Sequence, residues 1–137
     1  MRPFVLIAVI ALISCTKPPP PGADLIGIYR GVGRDALCIA KDGERLKAGL
    51  ITYGDNDPNC SLRGTAVVAG DGLTIIPRGD SACRVELRIA NDSVTVGRNP
   101  AACAYYCGPG ADFAGRKLKK AAADAARVSD FAGDPLC

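Results

Sequence analysis

The chain has 137 residues, with 17 basic and 14 acidic side chains, a formal net charge of +3, and neither histidine nor tryptophan. This small charge excess argues against a nucleic-acid-binding protein, which needs a strongly basic face. The lack of histidine removes the commonest general base and the commonest zinc ligand. We therefore expect no enzyme, no metal site and no cofactor, with two close carboxylates as the remaining route to catalysis.

The first fifteen residues have the layout of a secretory signal. Arg2 precedes an apolar stretch, Phe4 to Ile13, that is too short to cross a bilayer, for which about 20 apolar residues are needed. The stretch ends in Leu12-Ile13-Ser14-Cys15, which resembles the lipobox of bacterial lipoproteins, although Ile13 is bulkier than is usual there. The resemblance implies that residues 1–14 are a signal peptide and that Cys15 becomes the lipidated first residue. An ordinary signal peptide cleaved elsewhere is the alternative.

Residues 15–23 are predicted to be a tether between the lipidated cysteine and a folded domain. The four prolines from Pro18 to Pro21 favour an extended polyproline II conformation and cannot join a sheet. At about 3.1 Å per residue, the tether would hold the domain roughly 25–30 Å from the acyl chains. Because Thr16 rather than aspartate follows the cysteine, the lipoprotein resemblance implies the periplasmic face of the outer membrane.

Residues 24–137 are long enough for one domain, and their pattern is mainly β. Asp42-Gly43 predicts a hairpin turn between two apolar runs, and Gly70-Asp71-Gly72 predicts a second one. Residues 83–90 alternate between apolar and charged side chains, and Asn91-Asp92 turns the chain again. The predicted strands are 25–33, 36–40, 45–53, 61–69, 73–77, 83–90 and 93–97. This spacing predicts an antiparallel meander that closes into a small barrel or sandwich.

Residues 115–128 are predicted to form one C-terminal amphipathic helix that starts at Asp112 or within 111–115. The segment is rich in alanine, and its apolar residues recur at helical spacing. These apolar residues are Leu118, Ala121, Ala122, Ala125 and Val128. We expect the helix to cover a sheet face or one end of a barrel. Its basic face could alternatively lie on anionic lipid.

Lipidation of Cys15 would leave an even number of cysteines for disulfides in an oxidising compartment. The six candidates are Cys38, Cys60, Cys83, Cys103, Cys107 and Cys137. A turn at Gly70-Asp71 would bring Cys60 nearly opposite Cys83, so we expect that pair first. Cys137 is then expected to bind Cys103 or Cys107. Cys38 would take whichever of these two is left.

Two short motifs resemble known sites, but each lacks an essential residue. Cys107-Gly108-Pro109 resembles the start of the thioredoxin site, but Gly110 stands where the second cysteine is needed. Residues 55–59 place oxygens as a calcium loop does, but Cys60 and Ala66 stand where an EF-hand needs glycine and glutamate. We therefore interpret the first motif as a structural disulfide or turn and the second as a plain loop.

The predicted function is that of a non-enzymatic, lipid-anchored binding module of the bacterial envelope. Tyr105 and Tyr106, in the unusual segment 103–110, are the candidate binding patch. Small, disulfide-bearing, β-barrelled lipoprotein inhibitors of lysozyme are similar in plan, which implies an inhibitor-like role toward a cell-wall enzyme. The expected partners are the membrane and an envelope protein or cell-wall component. The alternative is a structural or assembly accessory without a small-ligand site.

Overall fold

The computed structural model describes residues 16–18, 21–98, 100–123 and 128–137. Within them, antiparallel strands follow one another around a closed barrel in chain order, and β8 pairs back with β1. The strands are β1 (Gly27–Arg30), β2 (Ala36–Asp42), β3 (Arg45–Tyr53), β4 (Asn59–Ala69), β5 (Gly72–Pro77), β6 (Val85–Ala90), β7 (Ser93–Val96) and β8 (Lys117–Ala122). Short 3-10 helices cover Ala23–Leu25 and Ala101–Tyr106.

The predicted antiparallel meander is confirmed, and the closed form is a barrel. Two-residue turns join β2 to β3, β4 to β5 and β6 to β7. Gly43 and Asn91 have φ of 63° and 55° in the first and third of these turns. Hairpin turns of this length need positive φ, which glycine and asparagine adopt at little cost. The local turn residues therefore set the register of neighbouring strands.

Alternate strand residues fill the inside of the barrel. An eight-stranded barrel is just wide enough for its side chains to pack against one another across the interior. The largest buried side chains of this core are Tyr29, Leu37, Ile39, Leu50, Leu73, Ile75, Phe113 and Leu118. The Tyr29 hydroxyl donates a hydrogen bond to the Leu25 carbonyl oxygen at 2.9 Å, which satisfies the one polar atom of that side chain.

The predicted C-terminal helix is wrong over Lys117–Ala122, which forms β8. Leu118 is buried in the core, whereas Lys117 and Lys119 on either side of it are exposed, as strand geometry requires. β8 hydrogen-bonds to both β1 and β7, whose edges would otherwise be unpaired. Barrel closure thus outweighs the helix propensity of the alanine-rich segment. Asp112 starts no helix, and residues 124–127 of the predicted helix lie outside the described residues.

A C-terminal strap, residues 128–137, packs on the outside of the barrel. Its Val128 and Leu136 form a second buried cluster with Ile28, Ala36, Cys38 and Ile51 of β1, β2 and β3. The Leu136 amide donates a hydrogen bond to the Val128 carbonyl oxygen at 2.7 Å. Gly49 on β3 lets the strap approach, because a Cβ atom there would lie 2.0 Å from the Leu136 carbonyl oxygen.

All six predicted cysteines form disulfides, but the predicted pairings are wrong. The pairs are Cys38–Cys137, Cys60–Cys107 and Cys83–Cys103, each enclosed by the one before it. The β4–β5 ladder ends at Gly64 and Pro77. The chain therefore leaves the sheet before Cys83 comes opposite Cys60, and the long connection from β7 to β8 supplies both partners instead.

Candidate binding surface at the loop end of the barrel

The two ends of the barrel differ in the length of their connections. Because neighbouring strands are antiparallel, the two-residue turns all lie at one end, and the N-terminal segment enters β1 there too. The longer connections lie at the other end, which we call the loop end. They are 31–35, 54–58, 78–84 and 97–116. Binding residues are found disproportionately on loops held by a rigid scaffold, so the loop end is the candidate site.

The most constrained part of the loop end is the 3-10 helix Ala101–Tyr106, which we call the tyrosine turn. The Cys83–Cys103 disulfide ties it to connection 78–84, and the Cys60–Cys107 disulfide ties its C-terminal end to β4. The Gly108 amide also donates a hydrogen bond to the Asn59 carbonyl oxygen at 2.8 Å. Two covalent links within five residues leave the tyrosine turn little freedom relative to the barrel.

The tyrosine turn presents Tyr105 to solvent and uses Tyr106 to support it. The Tyr105 side chain is 89% exposed, and its ring meets the ring of Tyr106 edge-on with 5.3 Å between centroids. The Tyr106 hydroxyl donates a hydrogen bond to Asp80 at 3.0 Å, and Asp80 also accepts the Cys83 amide at 3.3 Å. Burial, followed by this bond to Asp80, raises the pKa of Tyr106. The two tyrosines predicted as one patch thus have different environments.

A further aromatic side chain at the loop end, Tyr53, is covered by an arginine. The guanidinium carbon of Arg34 lies 4.0 Å from the centroid of the Tyr53 ring, a cation–π contact, and Arg34 also pairs with Asp57. Asn56 and Asp57 have φ of 62° and 70°, as turn residues do. Connection 54–58 forms a turn, and no group of three metal-binding side chains is found among the described residues.

The buried carboxylate of Asp35 holds three parts of the loop end together. Its side chain accepts a hydrogen bond from the Tyr53 amide at 2.8 Å and lies 3.5 Å from a guanidinium nitrogen of Arg116. The residue is 2% exposed. A buried charge must be paired and hydrogen-bonded to be tolerated. Asp35 therefore joins connection 31–35 to the end of β3 and to the start of β8.

Comparisons with protein-family models, curated proteins and solved structures found no significant similarity to this chain. No helix among the described residues is long and apolar enough to span a bilayer. The predicted signal peptide and lipidation site at Cys15 lie outside the described residues. The six cysteines and both tyrosines of the predicted site are described, and all except Cys38 and Cys137 are at or next to the loop end.

Sequence reasoning missed the residues that support the tyrosines. Asp80 three residues before Cys83 has the spacing of an aspartate that accepts a backbone amide in a turn, so this local role had a sequence signal. The bond from Tyr106 to Asp80 joins residues 26 positions apart and had none. The contact of Arg34 with Tyr53 also had no sequence signal, because it joins connection 31–35 to the end of β3, which is distant in the chain.

Proposed function

We propose that this protein is a lipid-anchored protein of the bacterial envelope that acts as a non-enzymatic binding module, with Tyr105 as the centre of its docking surface. The observation that carries the proposal is the exposure of Tyr105, 89%, on a turn held by two disulfides. A tyrosine gives a large contact area with few rotatable bonds, and aromatic side chains are enriched among residues that dominate interface energy.

The rigidity of the tyrosine turn supports a role in tight binding. Association costs the freedom of every loop that becomes ordered, so a segment already held in place by covalent links loses less on binding. Complexes between enzymes and protein inhibitors are typically formed by such pre-organised segments with little backbone movement. A protruding Tyr105 on a fixed turn suits insertion into a cleft. An inhibitor-like role toward a cell-wall enzyme is therefore our proposal for the partner class.

The filled barrel supports binding at the surface rather than in a lumen. Barrels that carry small ligands keep an open interior, whereas here Tyr29, Phe113 and the aliphatic strand residues occupy it. The N-terminal segment joins the barrel at the end opposite the loop end. An anchor on that segment would leave the tyrosine turn pointing away from its attachment point, where a partner can reach it.

The test of docking is affinity capture from envelope extract with the full chain, produced with oxidised cysteines, followed by titration of the purified partner. The partner should bind the wild type and Phe131→Ala, and Tyr105→Ala should weaken it by more than about tenfold. Phe131 is the matched control because it is 69% exposed on the C-terminal strap, away from the tyrosine turn. Equal binding by all three proteins would refute Tyr105 as the docking residue.

The nature of the partner separates the inhibitor from the accessory role. A captured wall-degrading enzyme whose activity falls on addition of the wild type, but not of Tyr105→Ala, would support inhibition. Capture of membrane assembly proteins without any effect on wall lysis would support a structural accessory instead. Anchoring is tested separately, by mass spectrometry of the mature N-terminus in a bacterial host. A lipidated Cys15 is expected in the wild type and no lipid in Cys15→Ser.

A further inference from the structure

The outer wall formed by β7, β8 and β1 carries three cations, which we call the basic wall: Arg30, Lys117 and Lys119. All three are exposed. Arg30 on β1 is directly opposite Lys119 on β8. Like charges in directly opposed positions of a sheet destabilise it. A single neutral residue at either position would remove this repulsion.

The cations of the basic wall take no part in the ion pairs of the described residues. Four other described cations do pair with carboxylates; the pairs are Lys17–Glu44, Arg34–Asp57, Arg63–Asp130 and Arg116–Asp35. Within the described residues, no ion pair involves Arg30, Lys117 or Lys119. The register instead brings hydroxyl side chains beside them, Ser93 opposite Lys119 and Thr95 opposite Lys117 on β7. Cations next to hydrogen-bond donors can together bind anionic groups.

The shape of the basic wall favours a spread-out anionic surface over a single small ligand. A small-molecule site needs a concave pocket with convergent polar groups. Here the cations border only a shallow open cleft of about 260 Å³, and Val32, which is 85% exposed, lies at its rim. Flexible lysines and an exposed aliphatic side chain suit the headgroup region of a bilayer.

The N-terminal segment contacts two sides of the barrel at the end opposite the loop end: Lys17 pairs with Glu44 in the β2–β3 turn, and Asp24 lies beside β8. The Lys120 ammonium group on β8 donates a hydrogen bond to the Asp24 carbonyl oxygen at 2.7 Å, which holds the N-terminal segment against β8. A lipid on that segment would keep the whole barrel, and with it the basic wall, near the membrane surface. Even weak attraction then acts at a high effective concentration.

We propose that the basic wall lies against anionic lipid headgroups, with Arg30, Lys117 and Lys119 as the contacting cations. The biological setting of this contact rests on the proposed membrane anchor. The attraction is electrostatic, so it is screened at distances beyond a Debye length, about 10 Å at moderate salt. In this orientation the barrel axis runs along the membrane, and the loop end with Tyr105 faces sideways, toward partners at the same surface.

The test uses the full chain, with oxidised cysteines, reconstituted into vesicles of phosphatidylcholine alone or mixed with phosphatidylglycerol. A water-soluble acylating reagent modifies exposed lysines, and mass spectrometry follows each one. Lys117 should react about fivefold more slowly on the anionic vesicles at low salt, and high salt should remove the difference. Lys47 on β3, on another wall of the barrel, should react equally on both.

Two charge variants separate a local contact from a general effect of net charge. Arg30→Gln/Lys119→Gln should abolish the slowing at Lys117. Arg78→Gln/Arg84→Gln removes the same charge from exposed positions at the loop end and should preserve it. Equal rates at Lys117 on both vesicles, or equal slowing at Lys47, would overturn the proposal. If Lys117 reacts equally on both vesicles and Arg30→Gln/Lys119→Gln no longer captures the partner, the basic wall is instead a surface that binds an acidic protein.

Vesicle flotation distinguishes failure of this proposal from failure of the anchor. Flotation with both kinds of vesicle supports the anchor, and the labelling rates then decide the role of the basic wall. Flotation with anionic vesicles only would contradict the anchor and still support the basic wall. Flotation with neither would overturn both proposals, while the docking role of Tyr105 is tested by its own titration.

Discussion

Gly49→Ala is the sharpest test of how the C-terminal strap is held on the barrel. A Cβ atom on Gly49 would lie 2.0 Å from the Leu136 carbonyl oxygen and 2.8 Å from its side chain, where real Cβ contacts stay above 3.0 Å. The closest atom belongs to the backbone, so a change of side-chain rotamer cannot relieve the clash. The Cys38–Cys137 disulfide holds the next residue, so the strap must lift over β3 while its end stays attached.

The expected cost follows from the burial that the strap would lose. Leu136 and Val128 are 0% and 5% exposed. Burial of one leucine or valine side chain contributes about 1.5–3 kcal/mol. Loss of the Leu136 contacts and part of those of Val128 should lower the free energy of unfolding by about 2–4 kcal/mol. The smaller backbone entropy of alanine in the unfolded chain offsets less than about 1 kcal/mol.

The assay is equilibrium urea unfolding of the oxidised protein, together with hydrogen exchange at the Leu136 amide, which bonds to Val128 at 2.7 Å. Gly49→Ala should reduce both the unfolding free energy and the protection of this amide. Gly108→Ala is the matched control, because its Cβ atom would meet nothing closer than 3.6 Å. We expect it to change stability by less than about 0.5 kcal/mol. Wild-type stability and protection in Gly49→Ala would refute close packing of the strap on β3.

Three further changes test the core, the hydroxyl inside the barrel and the tyrosine turn. Phe113→Ala removes a fully buried ring and should lower the free energy of unfolding, measured in urea, by about 3–5 kcal/mol. A decrease below about 1 kcal/mol would contradict the place of Phe113 in the core. Burial, the larger cause, and two nearby carboxylates raise the pKa of Tyr29 from 10.0, so the fold favours its neutral phenol. This contribution to stability is fully present below pH 10.0 and is lost as the pH rises through the raised pKa. Tyr29→Phe should remove this part of the decline, together with one phenol that ionises above pH 10.0 in tyrosinate absorbance. A double alanine substitution of Cys83 and Cys103 removes a disulfide between residues that are 20 apart in the chain. It should lower the free energy of unfolding by about 3 kcal/mol, and unchanged stability would show that this disulfide does not constrain the unfolded chain.

The hairpins of the barrel were predictable because their information is local. Asp42-Gly43 and Asn91-Asp92 favour tight turns whatever the rest of the chain does, and alternating residues such as Val85, Leu87 and Ile89 show which face of a strand is apolar. The structure has its strands at these places, with bounds that differ by a few residues. A meander also needs only neighbours in sequence to be neighbours in space, so its order followed from the hairpins.

The last strand was mispredicted because its sequence fits two periodicities. Ala121, Ala122 and Leu118 suit a helical face, while Lys117-Leu118-Lys119 suits a strand with one buried residue. The choice depends on β1 and β7, which together offer two open edges to this segment. β1 lies far away in sequence, so a local pattern carries no information about that edge.

The candidate site was predictable in its residues but not in its arrangement. Tyr105 and Tyr106 stand out in the sequence as adjacent aromatic residues between two cysteines. Their difference in exposure depends on Asp80, which reaches Tyr106 from another connection. The disulfide partners likewise depended on where the long connection 97–116 returns to the barrel, because six cysteines allow fifteen pairings and spacing alone selects none.

The sequence by itself determined the turns, the approximate positions of the first seven strands and the alternation of residues 83–90, since each of these depends on residues close together in the chain. The even set of cysteines for three disulfides followed from composition. Only the tertiary structure decided the conversion of Lys117–Ala122 into a closing strand, the nested disulfides and the strap over Gly49. It also created the basic wall, where Arg30 and Lys119 meet across β1 and β8. These features arise from contacts between distant segments, which form only when the barrel closes.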